Sequence, residues 1–182
     1  EKGTRTTSVM DLNSFTIKSQ EAIQRAQQIA AGQGQQSIET AHLLKGLLEV
    51  DEQVTQHLLG KMGTSPDRIA SALDRIIGGY GKVEGAALHL SREANTVLQK
   101  SAAFAQDMKD EFVSLEHLLL ALSAQGDQTA RLLNDSGASE KPLRKAIKDM
   151  RKGQRVTSNS QENTYNALDK LSLIHISEPT RP

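Results

Sequence analysis

The chain has 182 residues, and its 22 basic and 22 acidic side chains cancel. That balance argues against a nucleic-acid binder held by net positive charge and against a polybasic membrane-surface segment. Cysteine and Trp are absent and aromatics are 3%, which excludes disulfides, thiolate metal sites and cysteine nucleophiles and leaves little to stack on bases.

The first nine residues, EKGTRTTSV, are polar and patternless. They contain no apolar signal core, so the cytoplasm is the expected compartment. Met10 is read as the native start, with 1–9 a non-native or disordered leader. No run of 18 apolar residues occurs, so no membrane span is expected.

Four helices are predicted in the first half, over 16–31, 39–50, 52–62 and 66–77. Thr16 is a candidate N-cap, because its hydroxyl can accept a bond from a free first-turn N–H. Ala22, Ile23, Ala26, Ile29 and Ala30 form an apolar stripe with helical spacing. Gly63 fits the left-handed position past a helix end. Ser65-Pro66 reads as a cap followed by proline at the first helical position, where no N–H is lost. The segment 78–88, GGYGKVEGAAL, contains four glycines and reads as a flexible connection.

The second half repeats the first. IETAHLLKGLL (38–48) matches VSLEHLLLALS (113–123), so His42 falls on His117 at an offset of 75. The same offset places Thr16 on Ser91 and Ile23 on Leu98. Further on it becomes 74, with Leu58-Leu59 on Leu132-Leu133 and Gly63 on Gly137. Four more helices follow, over 91–106, 114–124, 127–136 and 140–151. Ile69, Leu73 and Ile76 match Leu143, Ile147 and Met150. Repeat one spans 15–78 and repeat two 90–153. Alternating strand patterns are lacking, so the expected fold is all-α: two tandem four-helix repeats forming one pseudo-twofold domain over 10–153 on a shared core.

After Arg151 the chain turns polar. Residues 154–170 read as a linker and the start of another helix, capped by Ser160, with Tyr165 and Leu168 facing inward. The last twelve residues, LSLIHISEPTRP (171–182), break that pattern and resemble the translated end of a sequencing adapter. They are read as an artefact, so His175 receives no functional weight.

These segments carry a resemblance. FTIKSQEAIQRAQQIA (15–30), IETAHLLKGLLE (38–49), FVSLEHLLLAL (112–122) and AIKDMRKG (146–153) resemble the Clp N-terminal repeat domain. RVTSNSQENTYNALDK (155–170) is similar to the linker of ClpB-type AAA+ disaggregase chaperones. The resemblance covers about 10–170. It implies a mobile domain that engages unfolded or aggregated polypeptides before ATP-driven threading in a homohexamer, with the DnaK chaperone system, as part of a stress response. The fragment itself is not expected to be an enzyme and needs no cofactor. ATP and magnesium belong to the full-length parent. Gly60-Lys61 and Gly81-Lys82 are followed by Met62 and Val83, where a phosphate-binding loop needs Ser or Thr.

The resemblance places a shallow apolar groove at Thr16, Leu98, Asp110, Glu116 and His117, with Leu98 as floor and the acids at the rim. From the residues alone, Thr16 is equally an N-cap and Leu98 a core residue. Asp110 and Glu116 then read as surface or helix-end acids, and both histidines as packing residues. The alternative function is an adaptor- or degron-binding domain of ClpC/ClpA type. ClpC-like domains carry Glu-His in both repeats, a pair that can read phosphorylated arginine, whereas repeat one here has Ala41-His42.

Overall fold

A computed structural model describes residues 12–83, 85 and 87–165. The expected leader, Met10, Leu168 and the string 171–182 lie outside the described residues. After a 3-10 turn at Leu12–Ser14 come α1 (Ile17–Gly32), β1 (Ser37–Ile38), α2 (Thr40–Val50), α3 (Val54–Lys61) and α4 (Pro66–Gly78). Then follow β2 (His89–Leu90), α5 (Arg92–Asp107), α6 (Leu115–Ser123), α7 (Gln128–Asp135) and α8 (Glu140–Arg151). The eight predicted helices are therefore present, four per repeat.

Local chemistry sets their ends. The Thr16 hydroxyl accepts the Ser19 N–H at 3.1 Å, and the Ser91 hydroxyl accepts the Ala94 N–H at 3.0 Å. Each satisfies one orphan donor of a first turn. Gly63 and Gly137 follow α3 and α7 with φ of 79° and 93°, a conformation that a Cβ disfavours. The Asp51 carboxylate, itself buried, accepts the N–H groups of Gln53, Val54 and Thr55 and so starts α3.

Beside the helices of this all-α fold the chain makes two very short parallel pairings. β1 and β2 pair in parallel, Ser37 with His89 and Ile38 with Leu90, and Phe15 forms an isolated bridge with Val113. At the offset of 75, Phe15 corresponds to Leu90 and Ile38 to Val113. The two pairings are thus one contact made twice across the pseudo-twofold axis. Each joins the entry to the first helix of one repeat with the entry to the second helix of the other. Two-residue strands are too short to leave a period-2 pattern in sequence.

The helices share one apolar core, with Leu44, Leu47 and Leu73 of repeat one packed in the same cluster as Leu98, Leu119 and Leu143 of repeat two. In repeat one α1 and α2 touch backbone to backbone. A Cβ on Gly46 would lie 2.5 Å from the Ala22 carbonyl oxygen and 3.0 Å from the Ala26 nitrogen. Repeat two has Ala121 at that position. No helix among the described residues is long and apolar enough to cross a membrane.

Beyond α8, Lys152 and Gly153 both take left-handed backbone, φ 51° and 88°. The chain doubles back, and residues 154–165 bond to Asp110, Glu111 and Leu115 of repeat two and to Thr16 and Ile17 of repeat one, with 161–165 helical. Tyr165 is buried, as its predicted inward orientation requires.

Candidate functional site

The α6 N-terminus organises the site. Ser114 and His117 form a capping box, in which the Ser114 N–H donates to His117 Nδ1 at 2.9 Å. An acceptor Nδ1 leaves the proton on Nε2. That N–H donates to Asp110 Oδ2 at 2.7 Å. Arg151, at the end of α8, then clamps two carboxylates. Its Nη1 lies 2.9 Å from Asp110 Oδ2, and its Nη2 lies 2.9 Å from Glu116 Oε2. The Arg151 Nε donates to the same Glu116 oxygen at 3.0 Å.

A third acid arrives from the returning segment. Glu162 Oε2 accepts the Thr16 hydroxyl at 2.6 Å and the Leu115 N–H at 3.1 Å. The side chains of Asp110 and Glu116 are fully buried, as is Glu162. Arg151 therefore pairs with two of the three acids, Asp110 and Glu116, in a region of low dielectric, and Glu162 lies beside Glu116. Burial alone would raise the Asp110 pKa. The hydrogen bonds from His117 and the Val156 amide, with the Arg151 charge, hold it below the ordinary carboxylate range. Arg151 is likewise held above its ordinary value by Glu116 and Asp110 despite burial. Glu162 has no such cation. Burial, reinforced by the Glu116 charge, pushes its pKa up from 4.5 to about 7.

Of the five residues assigned to a groove from the sequence, four converge. Asp110, Glu116 and His117 belong to the Arg151 cluster, and Thr16 joins it through Glu162. Leu98 sits apart in the common core, 1% exposed. Thr16 is both the N-cap of α1 and a donor to Glu162. Asp110 and Glu116 are not solvated surface charges, because both side chains are covered. The resemblance named Thr16, Asp110, Glu116 and His117 as parts of a groove and not as a buried cluster, and it named neither Arg151 nor Glu162. The repeat held a signal for one of them. At the offset of 74, Arg151 stands where repeat one has the buried Ile77. An arginine on an otherwise apolar face marks a buried ion pair.

Beside Asp110 the surface opens. A groove of about 370 Å³ is lined by Gln99, Ala102, Ala103, Gln106, Phe112 and Val113 among others. Ala102 and Ala103 are exposed and Phe112 is half-buried. Among the described residues no His, Asp or Glu cluster has a metal-ligand arrangement. The acids here are already engaged by Arg151, a hydroxyl and backbone N–H groups.

The profile of the Clp repeat (R) N-terminal domain matches residues 14–136. The chaperone protein ClpB of Bacteroides thetaiotaomicron is 45% identical over 172 residues, 94% of this chain and 20% of that protein. ClpB of Porphyromonas gingivalis is 44% identical over 164 residues, covering 90% and 19% respectively. The chain thus spans about a fifth of the length of these relatives. In three dimensions it resembles the Hsp104 N-terminal domain from Candida albicans, with a TM-score of 0.72 at 21% identity, covering 81% of this chain and 97% of that one. The N-terminal domain of ClpD from Arabidopsis thaliana aligns with a TM-score of 0.61 at 25% identity, covering 79% and 98%. The duplicated four-helix unit, the capping-box histidine in each copy and these matches agree: the chain belongs to the Clp repeat N-terminal domain family, of the kind that opens ClpB-type chaperones.

Proposed function

We propose that this domain is the client-engaging module of an ATP-dependent ClpB-type disaggregase. It binds exposed apolar segments of unfolded or aggregated polypeptides and presents them for threading. The threading is the work of AAA+ domains in a longer parent chain, which would supply the ATP and magnesium site. Hexamer assembly and cooperation with the DnaK system would belong to that parent, acting in the cytoplasm under stress. The observation that carries the reading, beyond family membership, is the open groove of Ala102, Ala103 and Phe112 beside the buried acid cluster. An unfolded chain offers apolar side chains and unpaired amides. A small apolar surface next to backbone donors and acceptors binds many such sequences, each weakly.

The ClpC/ClpA alternative is disfavoured by one position. Ala41 is fully buried in repeat one, where a second acid-histidine pair would be needed. Fluorescence anisotropy with labelled β-casein tests the proposal. Ala102→Glu and Ala103→Glu, both at exposed helical positions, are expected to weaken binding about tenfold while leaving the fold intact. Casein affinity equal to that of the parent chain in both variants would remove the groove from the account. Saturable binding of a phosphoarginine peptide, with none of casein, would favour the alternative.

A further inference from the structure

The open groove ends at Asp110 and Glu111, and the face beyond them is covered by part of the same chain. Residues 154–165 are tied down at both ends and in the middle. The Val156 N–H donates to Asp110 Oδ1 at 3.0 Å, and the Val156 carbonyl accepts the Glu111 N–H at 2.7 Å. The Asn159 carbonyl accepts the Ile17 N–H at 2.8 Å. Glu162 takes the Thr16 hydroxyl and the Leu115 N–H, and the segment's own Val156, Glu162 and Tyr165 are buried against the domain. The partners used are backbone N–H groups, the Thr16 hydroxyl and one carboxylate. These are the groups with which a folded surface reads any extended polypeptide, whatever its sequence. The stretch 154–160, ahead of the helical residues 161–165, therefore binds as an extended client would.

Its attachment is also incomplete. Glu162 Oε1, Glu116 Oε1 and the Tyr165 hydroxyl are buried without a hydrogen-bond partner among the described residues. Buried polar atoms left unpaired cost docking free energy. Glu162 further adds a carboxylate to a cluster that already holds Asp110 and Glu116 against Arg151 alone. The segment springs from two consecutive left-handed residues, Lys152 and Gly153, which let it leave α8 without unwinding it.

We propose that residues 154–165 are a tethered competitor of client polypeptides: docked, they close the Thr16–Asp110–Glu116 face, and a client binds there by displacing them. The proposal rests on the client-binding reading above. Because the competitor is tethered, its effective concentration is about millimolar. Weak clients are excluded until they are locally abundant, as on an aggregate. Displacement also frees the chain beyond Lys152, so occupancy of the face is reported to whatever that chain is joined to.

Amide hydrogen exchange on the intact chain tests this with β-casein as the probe. Saturating casein is expected to speed exchange of the Val156 and Asn163 amides, which belong to the displaced segment, about tenfold while Leu119, in the core of α6, is unchanged. Casein bound with both amides still protected overturns the proposal. Glu162→Lys is expected to undock the segment and tighten casein binding about tenfold. Loss of protection without tighter binding overturns it. The chain lacks cysteine, so Ile17→Cys with Asn159→Cys offers a second route. Oxidation is expected to weaken casein binding about tenfold and reduction to restore it. Oxidised and reduced forms of equal affinity overturn the competitor and leave client binding standing. If casein binds no form, Glu162→Lys included, the client-binding reading itself falls and the competitor with it.

Discussion

The two repeats solve the same problem with different chemistry. In both, a capping-box histidine at the start of the second helix accepts a backbone N–H at Nδ1 and donates from Nε2. In repeat one the acceptor is Gln35 Oε1, 2.7 Å away, and the Gln35 amide donates onward to the Ile77 carbonyl at 2.8 Å. That chain is neutral, and Tyr80 covers it with ring centroids 5.5 Å from His42. In repeat two, Asp110 replaces Gln35 seven residues before the histidine. A carboxylate cannot donate onward, so Arg151, standing at the Ile77 position, supplies both charge and donors. Glu116 at the Ala41 position completes the cluster. The pair shows that the fold needs an acceptor for the histidine and nothing more. Charge in repeat two goes beyond that need, and it lies under the segment 154–165.

The comparison breaks most visibly at Arg151. Arg151→Met leaves Asp110 and Glu116 buried without a cation and is expected to cost about 4 kcal/mol in urea unfolding. Ile77→Met, the matching change in repeat one, is expected to cost less than about 1.5 kcal/mol. Copying repeat one into repeat two, as Asp110→Gln, Glu116→Ala and Arg151→Ile together, should regain about 3 kcal/mol of the loss. Failure to regain it would mean that the charges stabilise the fold as a network.

A smaller effect separates the helix pairs. Gly46→Ala drives a methyl into the Ala22 carbonyl and is expected to lose about 2 kcal/mol, even though Ala favours helix. Ala121→Gly at the equivalent position should lose only about 1 kcal/mol, by helix propensity and lost packing. Equal costs would show that α1–α2 and α5–α6 relax alike.

Proton linkage gives the smallest and sharpest contrast. Burial lowers the His42 pKa from 6.5 to about 4. The folded state holds this histidine neutral, so stability falls as the pH drops below 6.5 toward 4. The first unit of that drop costs about 1 kcal/mol, and His42→Gln should remove the dependence. Glu162 runs the other way. Its proton is held more tightly when the segment is docked, so docking weakens as the pH rises from 4.5 to about 7. Exchange of the Ile17 amide should therefore quicken over that range in the parent chain. In Glu162→Gln it should not change beyond the intrinsic pH trend of amide exchange. Parallel behaviour of the two chains would mean that Glu162 is already charged when docked.

The eight helices, their Thr16, Ser91 and Ser65 caps and their Gly63 and Gly137 stops were legible in the sequence. Each is decided within one turn of the chain or by a repeating apolar period, and the duplication doubled every signal. The shared core followed, because eight one-sided helices have nowhere else to bury their stripes. The parallel two-residue strands, the two acids paired with Arg151, the third beside them and the cover of residues 154–165 were decided only by the tertiary structure. Thr16 and Glu162 are 146 residues apart and Arg151 and Glu116 are 35 apart. No local period encodes which acid a distant arginine will reach. The sequence names the charges, but their burial, and hence their chemistry, depends on how the chain closes over them.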